Sequence, residues 1–300
     1  VVSALLLSMK ARLHDWVSRM RAIELDSLLK LALISVVVLP VLPNAGYGPG
    51  ATLNPYEIWW AVVIVAGLSF LGYLAIRLGG TDLGVLLTGL FGGLASSTST
   101  TLALARLLKH RPEAAPIGAA GIVIAGSVTF LRVLLLVAIF QPSILTLLTR
   151  PMIAMSAAGV GYALLIRVAT RQAAADGGAL TEVANPLDLK TAVTFGAVLA
   201  GVSLGVFYLE RWIGTGGIYA GAAVAGLTDV DALTISVSKL VGEDVAATTA
   251  ANAIFIAVSV NTAVKAGISL AVGNRRLGLM VLPAKAVMIG AGAAALSLFG

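Results

Sequence analysis

The sequence of 300 residues contains no cysteine and only two histidines, His14 and His110. The first absence excludes disulfides, thiolate-held metals and cysteine nucleophiles. The second leaves no histidine cluster for a metal. Charged residues are scarce, 11% against about 25% in a soluble globular domain. No phosphate-loop motif, dinucleotide fingerprint or His-Glu-x-x-His pair occurs. Alternating strands of about ten residues, the mark of a membrane barrel, are also missing. The net charge of +6 is not a nucleic-acid footprint, because the basic residues lie mostly in short loops, where they set membrane orientation. No signal peptide is evident. The opening Val1-Val2-Ser3-Ala4-Leu5-Leu6-Leu7 reads as the tail of an earlier helix, so a longer parent chain is expected.

What is abundant is apolar: 59% of the residues, with a mean hydropathy of +0.99. The apolar segments approach the length of about 20 residues that a helix needs to cross hydrocarbon. The expected fold is an all-α polytopic membrane protein with two structural repeats, inverted, each carrying a glycine-broken or re-entrant helix. Residues 1–26 hold the end of an upstream helix and a basic amphipathic helix (about 8–30) at the cytoplasmic interface. Residues 27–170 form the first membrane repeat, 171–187 a polar linker with Arg171, Asp176 and Glu182, and 188–300 the second repeat and terminal helix. A short span at about 27–43 ends at Pro40 and Pro43. Trp59 and Trp60 are expected interfacial anchors.

The repeat rests on an ungapped offset of 133 positions. It places Asp229 on Ser96, Asp231 on Thr98, Thr234 on Thr101, Lys239 on Arg106, Thr262 on Thr129 and Lys265 on Arg132. Asn54-Pro55 and Asn185-Pro186 read as equivalent entrances, with a two-residue gap. Orientation follows from the basic residues. If 83–108 and 217–240 each enter and return on one side, Arg150, Arg211 and Lys239 lie outside. Arg132, Lys265 and Lys285 lie within spans, and the other 14 of the 20 Lys and Arg lie inside. If both segments cross fully, the bias nearly disappears. The re-entrant arrangement obeys the positive-inside rule and makes the two copies inverted.

The residues that carry chemistry cluster at the two breaks, which Gly92, Gly93 and Gly226 permit. The alternative is two full helices with small-residue packing faces. Asp229 and Asp231 are carboxylates in an apolar run, and an isolated charge at the bilayer centre costs about 3 to over 10 kcal/mol. Both reach one cation only if the segment is unwound. Otherwise Asp229 caps the following half-helix and Asp231 pairs with Lys265. Ser96, Thr98 and Thr101, from a run of six hydroxyl residues, supply neutral oxygens on the opposite wall, unless they bond back to their own helix. Thr234 and Ser238 continue the Asp231 face. Arg132 and Lys265 are buried counter-charges, with Asn261 one turn before Lys265. Lys265 is expected to vacate Asp231 when a cation arrives, or both bases bind an anion.

The run Gly89-Leu90-Phe91-Gly92-Gly93-Leu94-Ala95-Ser96-Ser97-Thr98-Ser99-Thr100-Thr101, with Ala103-Leu104-Ala105-Arg106, resembles a bacterial membrane family of unknown function that follows a MgtC/SapB-like domain in one polypeptide. Gly226-Leu227-Thr228-Asp229-Val230-Asp231-Ala232 resembles its second signature, and Asn54-Pro55-Tyr56-Glu57 and Asn185-Pro186 with Leu189-Lys190 its flanking landmarks. The resemblance covers the chain from about residue 10. It implies, by analogy, magnesium or other divalent-metal homeostasis, while this chain keeps at most the last residues of the upstream domain.

The expectation is a transporter or channel for a small ion in the bacterial cytoplasmic (inner) membrane, first a divalent cation on Asp229 and Asp231. Oxygen ligands favour Mg²⁺, Ca²⁺ or Mn²⁺, and Zn²⁺ is not excluded. No other cofactor, no nucleic-acid partner and no catalytic residue is expected, and a homodimer through small-residue faces is. The alternatives are a regulatory or assembly subunit, an anion transporter and an intramembrane aspartyl hydrolase. Topology is directly testable. A reporter active only outside should stay silent when fused after Arg111 or Arg276 and be active after Lys239. Activity after Arg111, with the fusion after Arg276 still silent, would reject the re-entrant arrangement, because a full crossing at 83–108 moves Arg111 outside and leaves Arg276 inside.

Overall fold

The computed structural model describes residues 21–78, 85–169, 189–242 and 245–299. Most of the expected interfacial helix, the linker, Asn185-Pro186 and His14 lie outside the described residues. Ten α-helices are described: α1 (Ala22–Ala32), α2 (Pro55–Leu78), α3 (Val85–Leu108), α4 (Ala115–Phe140), α5 (Leu145–Ala169), α6 (Leu189–Ile213), α7 (Thr215–Gly226), α8 (Val230–Leu240), α9 (Ala247–Val272) and α10 (Arg275–Phe299). Among the described residues there is no strand, only two isolated bridges, Tyr47–Leu53 and Val241–Val245.

Five stretches are long and apolar enough to cross a membrane: Pro112–Phe140, Pro142–Ala169, Ala192–Ile213, Ala247–Val272 and Arg275–Leu298. Large apolar side chains such as Leu165, Trp212, Val224 and Leu298 point outward with no protein cover. Such a surface is at ease only in lipid. The chain is therefore an all-α, multi-pass membrane protein.

The central post is α4. Its most apolar window is 67% buried, against 28% for the spans at α5, α6 and α10. Pro112 and Pro116 open this region, where a missing N–H costs nothing. Pro151 and Pro283 lie inside α5 and α10, which neighbouring helices in a membrane tolerate.

Two helices near α4 are hairpins rather than rods. In α3, Ser96 is extended (φ −166°, ψ 106°). A Cβ built on Gly121 of α4 would lie 2.7 Å from Val85 and 3.2 Å from Leu104, so one glycine touches both arms. In a straight helix those residues would be about 28 Å apart. Gly92 and Thr100, one turn either side of the break, also meet: a Cβ at Gly92 would lie 2.6 Å from Thr100 Oγ1. The second hairpin is α7 and α8, separated by Leu227–Asp229, with Asp229 extended (φ −146°, ψ 123°). Here Gly221 of α7 faces Val206, while Ser236 of α8 meets Ser203 Oγ at 2.9 Å, both within one turn of α6.

The hairpins enter from opposite ends of α4. The open end of α3 lies at Gly118 and Gly121, and its tip reaches Ala125 and Arg132. The α7–α8 tip also meets Arg132, through Asp231, but its open end lies at Phe140 and Gln141, where Gln141 Nε2 donates to Val241 O at 3.3 Å. Along α9 the order is reversed. Ala257 and Asn261 hold the Gly226 tip, Lys265 reaches Ser97, and beyond its end Asn274 Nδ2 donates to Leu108 O at 2.5 Å.

Two contacts shape the first part of the chain. Trp59 Nε1 donates to Ile34 O at 2.9 Å, tying α2 to the π-helical turn Leu33–Val38 that extends α1. The ring therefore packs inward, while Trp60 remains 41% exposed. The boundary at residue 26 falls inside α1, which buries Glu24 against Tyr73 of α2.

Gly93 and Gly226 let the tips approach backbone. A Cβ at Gly93 would lie 2.8 Å from Ala125 Cα, and one at Gly226 would lie 2.6 Å from Ala257 O. Backbone cannot yield as a side chain does. Gly93→Ala and Gly226→Ala should each cost about 1–3 kcal/mol. Gly267→Ala, with open space around it, should be neutral or slightly stabilising. Unfolding of the purified variants in detergent checks the contrast.

Candidate functional site

The two tips meet at a cavity of about 250 Å³. It is lined by Ser96, Ser97 and Thr98 of the first hairpin, Thr228–Asp231 of the second, Thr129 and Arg132 of α4 and Asn261 of α9. Val62, Val65, Ala66 and Ser69 of α2 and Ala192 and Phe195 of α6 close the remaining wall.

Each break exposes backbone groups that must be satisfied at membrane depth. Side chains do this the same way at both tips. Ser96 and Asp229 are the N-caps of the second arms: Ser99 N donates to Ser96 Oγ at 3.3 Å, and Asp231 N to Asp229 Oδ1 at 2.7 Å. A long helix caps the end of each first arm. Arg132 Nη1 donates to Leu94 O at 3.2 Å, and Asn261 Nδ2 to Gly226 O at 3.1 Å. Ser69 Oγ adds a bond to Ala95 O at 2.8 Å.

The charges are cross-wired. Arg132 Nη2 forms the ion pair with Asp231 Oδ2, so one guanidinium grips both tips. Lys265 Nζ donates to Ser97 Oγ at 2.8 Å and Thr129 Oγ1 at 3.3 Å, and Thr129 Oγ1 donates to Ser97 Oγ at 2.8 Å. The sequence-based alternative of an Asp231–Lys265 pair is thus corrected. Lys265 lies on the hairpin-1 half of α9, beyond the Gly226 tip, and Arg132 stands nearer Asp231. Asp229 is half-buried and, apart from its cap bond, makes no ion pair among the described residues.

Of the residues expected to line the site, Ser96, Thr98, Asp229, Asp231, Asn261 and Arg132 do so. Thr101 and Thr234 do not. Both are fully buried more than one residue into the second arms, and Thr101 Oγ1 bonds back to Ser97 O at 2.8 Å. Lys265 stands behind the wall made by Ser97 and Thr129. Ser69, Phe195 and Thr228 also line the cavity, and sequence reasoning misses them. Ser69 is a lone hydroxyl in an apolar run, a signal too common to single it out. Lys285 of α10 is 1% exposed against α4, where Gly126 makes room for its ammonium and Ile122 O accepts at 3.4 Å. Among the described residues no cluster of three or more His, Cys, Asp or Glu side chains is placed to hold a metal.

Paired hairpins around a charged cavity define a class: a multi-pass membrane protein with a polar site buried between broken helices. The chain belongs to the family described as "Domain of unknown function (DUF4010)", which matches residues 63–273. It is also similar to an uncharacterized protein of Aquifex aeolicus (strain VF5), 28% identical over 203 residues, covering 66% of this chain and 86% of the relative. No solved structure matches the chain significantly.

Removing one partner of a buried pair leaves a charge without compensation, at about 3–5 kcal/mol. Arg132→Gln should therefore destabilise strongly. Arg132→Gln combined with Asp231→Asn should be more stable than the sum of the single losses implies. A double-mutant cycle of unfolding in detergent reads this coupling.

Proposed function

We propose that this chain transports a small cation, first a divalent metal ion, across the bacterial cytoplasmic membrane, with Asp229 and Asp231 as its ligands. The observation that carries the proposal is that two hairpins enter from opposite ends of α4 and meet at a cavity holding Asp229, a carboxylate that forms no ion pair among the described residues. Irregular backbone at membrane depth is kept where it lines a cavity, and tips meeting at midplane are a recurrent transporter plan. The equal offset of Ser96 and Asp229, both extended caps, supports two inverted copies of one unit.

Size favours a hydrated ion. The cavity has room for an ion together with several waters. Mg²⁺ sheds water reluctantly and binds through one or two carboxylates with several waters retained. The oxygen-only donors fit that habit, and the resemblance to a family that follows a MgtC/SapB-like domain points the same way. Arriving at Asp229, the ion would compete with Arg132 for Asp231. Arg132, rather than Lys265, is the charge to be displaced, and its release would loosen both tips at once.

A second reading has its own observation. Arg132, Lys265 and Lys285 are all buried, against the one buried carboxylate Asp231 among the site residues. This excess of positive charge suits an anion.

Flux of Mg²⁺, Mn²⁺, Ca²⁺ and Zn²⁺ into proteoliposomes tests the proposal. Wild type should conduct at least one of them, and Asp229→Asn should reduce the rate at least about tenfold, equivalent to about 1.4 kcal/mol. Anion flux that survives Asp229→Asn and fails in Lys265→Met would favour the second reading. No flux of either sign would reject both.

A further inference from the structure

A polar seam leads from the cavity along α8 toward the open end of its hairpin. Asp231, Thr234 and Ser238 share one face of α8, at spacings of three and four residues. Thr234 and Ser238 are 0% and 1% exposed, and neither hydroxyl has a hydrogen-bond partner among the described residues. Arg132 Nε, at the cavity end of the same face, is likewise without one.

Buried serine and threonine hydroxyls in helices ordinarily bond back to the carbonyl four residues earlier. Thr101, Ser127, Ser236, Thr262 and Ser269 all do. Thr234 and Ser238 are on the same kind of helix and make no such bond. A buried hydroxyl left unpaired costs about 1–3 kcal/mol. Two of them one turn apart, in line with an ion-paired carboxylate, are hard to explain by packing, for which Val and Ala would serve.

The far end of the seam is closed by polar contacts that do not belong to the core. Lys239 Nζ pairs with Glu57 Oε2 of α2 at 2.9 Å and lies 5.9 Å from the centre of the Phe140 ring. Beside it, Gln141 Nε2 donates to Val241 O. The Lys239–Glu57 pair is partly exposed, with side-chain exposures of 23% and 46%. A pair so exposed is worth about 1 kcal/mol or less, so it opens readily.

We infer that Asp231, Thr234 and Ser238 form the outer half of the permeation path, a hydroxyl-lined seam that admits water and the transported ion when the Lys239–Glu57 pair opens. The inference rests on the transport reading and gives it a route. The absence of cysteine makes the test clean, because each introduced thiol is the only one in the chain. Thr228→Cys at the cavity serves as the reference. Thr234→Cys and Ser238→Cys, both close in size to the native residues, report the seam, and Leu233→Cys reports the packed face of the same helix.

Each variant is labelled in proteoliposomes with a small membrane-impermeant thiosulfonate. Ser238→Cys and Thr234→Cys should both react, Ser238→Cys faster, and adding Glu57→Gln should raise both rates several-fold. Leu233→Cys should stay unreactive. The inference is overturned if Thr234→Cys and Ser238→Cys are as inert as Leu233→Cys, with and without Glu57→Gln, while Thr228→Cys reacts. The labelling needs no flux, so failure of the route and failure of transport are read separately. Reactive thiols in Thr234→Cys and Ser238→Cys, in a protein that moves no ion, would keep the seam and reject the transport reading. Where flux is present, Thr234→Val with Ser238→Ala should lower it at least about fivefold. Unchanged flux would place the path elsewhere.

Discussion

The Arg132 guanidinium is the contact on which the site depends. It sits about two-thirds of the way along the most buried helix and holds one backbone carbonyl of the first hairpin and one carboxylate of the second. Hairpin tips at membrane depth have carbonyls and amides with no water to satisfy them, so each must find a protein partner. A guanidinium is suited to this, with five donors in a rigid fork and a charge that proton loss does not remove. Lysine at this position would offer a point charge and would not span both tips as readily.

Around that contact the two halves are built alike but not wired alike. Ser96 and Asp229 do the same structural work, each capping its own second arm. One is neutral and the other charged, so the structural role is shared while the electrostatic role belongs to Asp229 alone. Arg132 caps the first tip and Asn261 the second, at positions that are not equivalent by offset. Lys265, the offset partner of Arg132, reaches across to Ser97 and Thr129 of the other half. Each half therefore supplies the cation that steadies the other half's polar residues. Such an arrangement couples the two hairpins: a change of charge at one tip is felt at both.

Much of this is legible in order. The breaks can be read because glycine next to hydroxyl or carboxylate residues is a local signal, and caps act within three residues of themselves. The offset of 133 positions pairs Ser96 with Asp229, and in the structure both cap the arm that follows them. Asp231, Asp229, Ser96, Thr98, Asn261 and Arg132 converge on the cavity as their types suggest. Thr101 and Thr234 fall outside it because the offset gives correspondence, not depth, and both lie beyond the first residues of their arms. The partner of Asp231 is unreadable, since Arg132 and Lys265 are similar charges on similar helices and only packing decides which is nearer. Trp59 looks like an interfacial ring because tryptophan often is one, and the carbonyl it meets on the neighbouring turn has no sequence signature.

Composition and periodicity by themselves determined the solvent, the helical class and the places where helices had to break. These follow from hydrophobic burial and from backbone chemistry within a few residues. Loop charges favoured hairpins that return on their own side. Only the tertiary structure decided that Arg132 rather than Lys265 pairs with Asp231, that Lys265 stands behind the wall rather than in the cavity, and that the Thr234 and Ser238 hydroxyls are left without a hydrogen-bond partner among the described residues. Those outcomes depend on distances of a few ångströms between segments far apart in the chain. In a low-dielectric interior such distances set the strength of every charge and hydrogen bond, and no linear pattern encodes them.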